Sequence, residues 1–131
     1  MKKDVKDALI KYRMERSLES VEAAKLMLEN NMLTSAMNRI YYAMFYAVQA
    51  LLITKNVTFS KHGQVKGFFN KEFVHKGTIP VHFGKVYNKA FEYRQKFDYV
   101  DFEIPSVDMV EEYVQYAKEF LQEIQSCLKT E

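Results

Sequence analysis

Apolar residues recur at intervals of three and four along most of the chain, and no stretch reads as a strand. The pattern predicts five helices. The first covers about Val5 to Glu29, with Met14, Leu18, Val21 and Leu28 on one face and Ala24 beside them; Asn30-Asn31 breaks it. The second runs from about Leu33 to Thr54. There Leu33, Met37, Ile40, Met44, Val48 and Leu51 form one stripe, widened by Ala36, Tyr41, Phe45 and Leu52. A helix apolar over more than half its circumference is expected at the centre of a fold. Lys55 to Phe59 is a connection. Ser60 then caps a third helix that reaches about Val74, with Val65, Phe68, Phe69 and Phe73 inward, and Gly77 stands where helices commonly stop. Pro80 suits the first turn of a fourth helix, which reaches about Gln95 and turns Phe83, Val86, Ala90 and Phe91 inward. Lys96 to Pro105 reads as a loop of acidic and aromatic residues. Ser106 caps the last helix, whose Val107, Val110, Val114, Ala117, Leu121, Ile124 and Leu128 make an unbroken packing seam. Short connections and no strand give an all-α, five-helix up-and-down bundle.

Length sets the organisation. Residues 1–131 suit one domain, large enough to bury a core without staples. With 48% hydrophobic and 27% charged residues the chain should fold rather than stay disordered. The formal net charge of +2 is low for a dedicated nucleic-acid binder, so any RNA contact must come from a local cluster. The lone Cys127 rules out an intrachain disulfide and suits a reducing, cytoplasmic location. MKKDVKDALIKYRMER has basic residues with no apolar run behind them, so it is not expected to act as a secretory signal. Leu33 to Ile53 is long enough to cross a bilayer, but Ser35, Asn38, Arg39 and Gln49 argue against it, so no membrane partner is expected.

The candidate chemistry begins on the second helix. Ser35, Asn38, Arg39, Tyr42, Tyr46 and Gln49 form a polar stripe opposite the aliphatic one, and Arg39 is the single charge between Leu33 and Ile53. An uncompensated buried charge costs several kcal/mol, so Arg39 should have a partner, with Asp98, Asp101 and Glu103 the nearest acids by composition. It either pairs with one of them, simply reaches solvent, or belongs to a polar cleft. YRQKFDY, Tyr93 to Tyr99, poses the same choice for Arg94: an ion pair with Asp98, or an anion-binding residue. Asn38, Arg39, Tyr42, Arg94, Asp98 and Tyr99 are therefore expected to converge on one ligand-binding pocket. His62, His75 and His82 are irregularly spaced and, with one distant Cys, form no zinc pattern. No phosphate loop, nucleophile elbow or paired-carboxylate signature is present. Neither metal nor cofactor is expected.

Four segments carry a family resemblance: SAMNRIYYAMFYAVQALL at Ser35 to Leu52, SKHGQV at Ser60 to Val65, YRQKFDY, and AKEFL at Ala117 to Leu121. Together, in this order, they resemble the HEPN domain, the higher eukaryote and prokaryote nucleotide-binding domain, and look most like its small stand-alone prokaryotic members. The resemblance spans almost the whole chain. It implies a HEPN-like helical bundle that forms a homodimer with a cleft between subunits. It also implies partnership with a minimal nucleotidyltransferase, often as toxin and antitoxin, and nucleotide or RNA as ligand.

Many HEPN proteins are metal-independent ribonucleases in which an Arg is followed, four to six residues later, by a His. Arg94 matches the Arg. The three positions open to the His hold Tyr99, Val100 and Asp101 instead. Imidazole is the group that exchanges protons near neutral pH, so this departure favours a non-catalytic binding module. The alternatives are a ribonuclease toxin with a rearranged site, using Arg94 and an imidazole such as His62 from elsewhere, and a purely structural interaction protein.

Overall fold

A computed structural model describes residues 2–130. It holds α1 (Lys3–Glu29), α2 (Leu33–Ile53), α3 (His62–Phe69), α4 (Val81–Tyr99) and α5 (Val107–Thr130), with a π-helical turn, Asn70–Val74, continuing α3. No strand occurs among the described residues. The protein is an all-α bundle with α2 at its centre, packed on α1, α5, α4 and α3.

Local chemistry explains the ends of the long helices. Asn31 and Asn56 both take positive φ, 58° and 59°. Around the first, the Met32 amide donates to the Met27 carbonyl at 2.8 Å and the Asn31 amide to Leu28 at 3.0 Å. Around the second, the Val57 amide donates to Leu52 at 3.2 Å and the Asn56 amide to Ile53 at 2.9 Å. These paired bonds satisfy terminal carbonyls around one left-handed residue, which asparagine tolerates better than most. At the start of α5 the Ser106 hydroxyl accepts from the Met109 amide at 3.1 Å, the cap its sequence suggests.

The core follows the α2 stripe. Met37, Ile40, Tyr41, Met44, Val48 and Leu51 are wholly buried. Along α1 the buried positions are mostly small: Ser17, Ser20, Val21 and Ala24 face an α2 that offers Ala36, Ala43, Ala47 and Ala50. Small side chains let the two backbones come close, and the Ser17 hydroxyl bonds across the seam to the Ala43 carbonyl. Ser20 turns its hydroxyl to the Arg16 carbonyl on its own helix at 2.9 Å. Neither serine is left unsatisfied, which is what permits their burial.

Several expectations need correction. Leu18 is exposed, because the seam runs through Ser17 and Ser20 instead. Val107 is exposed too, as the first residue of α5. Ser60 caps nothing: α3 begins at His62, with Lys61 at its N-cap and no side-chain cap bond. Pro80 occupies the N-cap of α4 rather than its first turn. Lys96 to Tyr99 is not loop. The fourth helix continues through it because Phe97 is buried and packs on Tyr93 one turn earlier, with ring centroids 6.0 Å apart.

Candidate functional site

The half-buried face of α2, opposite its aliphatic stripe, carries Asn38, Arg39, Tyr42 and Tyr46. Tyr42 is its centre. The Arg39 guanidinium lies 4.9 Å from the Tyr42 ring centroid, and the Arg94 guanidinium, brought in by α4, lies 5.8 Å from it and 5.0 Å from Tyr41. The electron-rich ring faces hold both cations.

Neither arginine has the acid expected for it. Among the described residues no carboxylate comes within salt-bridge reach of Arg39 or Arg94. Arg39 donates through Nε and Nη2 to the Asn38 side-chain oxygen, at 3.3 and 3.1 Å. The Asn38 amide nitrogen in turn donates to Asp98 Oδ2 at 3.1 Å. Asp98 thus bonds Asn38, not Arg94, although it lies one turn beyond Arg94 on the same helix. The physical reason is direction: Arg94 reaches inward over Tyr41 while Asp98 stays on the exposed side. The Arg94 Nε is buried with no hydrogen-bond partner. Asn38, Arg39, Tyr42, Arg94 and Asp98 form one chain of contacts. Tyr99 is 75% exposed and stands outside it.

His62 joins this cluster from α3. Its Nδ1 is 2.7 Å from the Tyr41 hydroxyl, and its ring stacks on Phe45 with centroids 4.1 Å apart and planes at 12°. It also meets Tyr42 edge-on at 5.6 Å. Burial lowers the His62 pKa below its ordinary value, and the Arg94 charge lowers it further. Burial moves Tyr41 the other way, well above the ordinary tyrosine range, against smaller opposing effects of the Tyr87 hydroxyl and the Arg94 charge. The Tyr87 hydroxyl, buried close by, meets no partner at hydrogen-bonding geometry. Tyr41 therefore keeps its proton, and Nδ1 of His62 is the acceptor within reach. In the neutral imidazole that arrangement puts the hydrogen on Nε2.

A hollow of about 180 Å³ lies between Arg16 and Arg39, lined also by Glu19, Ser20 and Ala23. A larger one, about 550 Å³, lies away from the arginines, among Lys3, Lys6, Lys11, Thr54 and Leu128. No three His, Cys, Asp or Glu side chains gather as metal ligands among the described residues.

The sequence profile of the HEPN domain matches residues 10–127. The chain belongs to the HEPN family. A UPF0332 protein of Thermotoga maritima is 41% identical over 124 residues, which cover 95% of this HEPN chain and 94% of that protein. A protein of Methanocaldococcus jannaschii named "Putative toxin MJ0605" is 33% identical, over 98% of this chain and 95% of its own length. A second protein of that organism bears the same description with the designation MJ0142; it is 38% identical over 66% of this chain and 58% of its own length. No helix of this HEPN protein, among the described residues, is long and apolar enough to cross a membrane.

One contact of the cluster was hard to see in the sequence. His62 stands out there only as an imidazole from elsewhere; its contact with Tyr41 joins residues 21 apart and depends on how α3 folds back on α2.

Proposed function

We propose that this HEPN protein is one half of a toxin–antitoxin-like pair. In this reading it is a cytoplasmic homodimer, bound by a minimal nucleotidyltransferase. It acts as a non-catalytic module whose Arg39–Arg94 face takes the phosphate of a nucleotide or of RNA. One observation carries the binding claim: two guanidinium groups converge on Tyr42 with no carboxylate within salt-bridge reach of either among the described residues. Each keeps donors free, and the planar donor fork of arginine suits phosphate oxygens. Tyrosine rings beside them can stack a base. The toxin names of the two Methanocaldococcus relatives support the pairing.

The connection from α4 to α5 supports self-association. Val100, Phe102 and Ile104 are exposed there, as is Tyr99 at the end of α4, and Phe102 sits at φ 67°, which a bulky side chain rarely adopts. So much apolar surface in one short segment suits burial against a second copy.

The test of binding is a fluorescence titration of labelled AMP and of a short labelled RNA. Arg94→Ala should abolish the binding that the parent shows. A parent protein that binds neither probe at millimolar concentration overturns the reading.

A second reading has its own observation, the imidazole of His62 beside Arg94. In RNA cleavage without metal, the 2′-oxygen bonds to phosphorus as the 5′-oxygen leaves; one proton is taken from the first and one given to the second. His62 is the side chain here that could move either. Its inferred Nε2 hydrogen makes it a donor to phosphate rather than a ready base, and that ranks binding first. RNA incubated with the protein and a chelator separates the two. Intact RNA supports the module; cleavage that Arg94→Ala and His62→Ala both remove establishes the nuclease.

A further inference from the structure

The phosphate-binding face continues onto α1. Arg16 is half-buried, and its guanidinium lies 5.1 Å from the Tyr46 ring centroid. It donates through Nη2 to the Tyr46 hydroxyl at 3.2 Å and through Nη1 to the Tyr12 hydroxyl at 3.3 Å. These partners fix the group without neutralising it. Among the described residues no carboxylate reaches salt-bridge distance.

Tyr46 follows Tyr42 by four residues on α2, a rise of about 6 Å. The Arg16–Tyr46 pair thus repeats the Arg39–Tyr42 pair one turn further along, and Arg94 adds a third cation over Tyr41. The spacing is on the scale of successive phosphates in a nucleic-acid strand. Between Arg16 and Arg39 lies the hollow of about 180 Å³, kept open by Ser20 and Ala23; Glu19 is the one acid on its wall.

We infer that Arg16 and Arg39 form a second phosphate subsite, so that α1, α2 and α4 together make a track for single-stranded polynucleotide. This rests on the reading that the Arg39–Arg94 face binds phosphate. A mononucleotide has phosphate for one end of the row. A strand engages Arg94, Arg39 and Arg16 in turn, and each guanidinium held over a ring offers its free side to a base.

The experiment compares labelled AMP with a labelled oligoadenylate, titrated over a range of salt concentrations with the parent, Arg16→Ala and Arg16→Lys. The parent should bind the oligoadenylate more tightly than AMP. Arg16→Ala should leave AMP binding unchanged and weaken the oligoadenylate roughly tenfold. It should also flatten the slope of log K against log salt by about 0.7, the loss expected for one phosphate contact on a single strand. Arg16→Lys keeps the charge and should keep the slope. Oligoadenylate bound no more tightly than AMP, or bound equally by parent and Arg16→Ala, overturns the track while leaving the phosphate face standing. No binding of either probe by the parent overturns both.

Discussion

Replacing Arg94 by Ala separates a binding arginine from a structural one, and the structure sets the expected magnitude. Breaking a buried ion pair strands a carboxylate and costs about 3–5 kcal/mol. No carboxylate pairs with Arg94 among the described residues, so that cost does not arise. What the substitution removes is contact with the faces of Tyr41 and Tyr42, at 5.0 and 5.8 Å, worth about 0.5–1 kcal/mol each at partly exposed sites. Against this, it also removes a buried Nε with no partner, a defect that itself costs about 1–3 kcal/mol. The two nearly offset, and the net change should stay within about 1 kcal/mol. For a chain of this length that is a shift in Tm of about 3–5 °C at most. Urea unfolding followed by far-ultraviolet circular dichroism gives the free energy; a titration with labelled RNA on the same sample gives the affinity. The expected pair of results is near-parental stability and lost binding. A loss of 3 kcal/mol or more would refute the reasoning, because it would mean that Arg94 neutralises a buried acid.

Other perturbations test the core and the aromatic cluster. Met44→Asp should leave no folded protein by circular dichroism, since a carboxylate without a partner at a wholly buried site exceeds the usual stability margin. Gly84→Ala should lower stability by about 1–3 kcal/mol in urea unfolding, because the new methyl would meet the Val74 side chain at 2.9 Å. The His62 pKa is depressed on folding, so the unfolded chain binds the proton more readily. The contribution of His62 to stability is present above its ordinary value near 6.5 and is lost as pH falls through the folded value. Unfolding midpoints across this pH range should fall on acidification, and His62→Gln should reduce that slope. Phe102→Asp should leave the fold intact and give a monomer by light scattering, where the parent is expected to give a dimer.

The core was legible in the sequence wherever apolar side chains marked it. The α2 stripe and most of the α5 seam are a 3.6-residue period written in large residues, and the structure buries those residues. Legibility failed where burial follows neighbours rather than hydrophobicity. Ser17 and Ser20 are buried because the alanines of α2 let the two backbones come close and both hydroxyls find carbonyls, while Leu18 between them faces outward. Polar and aromatic residues in FDYVDFE suggested a loop, yet the Tyr93–Phe97 contact carries α4 one turn further. The contact cluster of the candidate site was legible in membership more than in wiring. Asn38, Arg39, Tyr42, Arg94 and Asp98 do lie in one chain of contacts, but the partners exchange: Asp98 takes Asn38, and Arg94 takes two rings. Such choices depend on side-chain direction at a helix end, which spacing alone does not fix. Tyr99, one residue past Asp98, points to solvent for the same reason.

The seam of serines and alanines between α1 and α2 acts as a gauge block. Its thickness sets how far the outer face of α1 stands from the tyrosines of α2, and hence where Arg16 falls relative to Arg39. One added methyl group at Ala43 or Ala47, deep inside and touching no ligand, would move a cation on the surface. Interior substitutions here would retune the pitch of the surface charges while leaving every surface residue as it is.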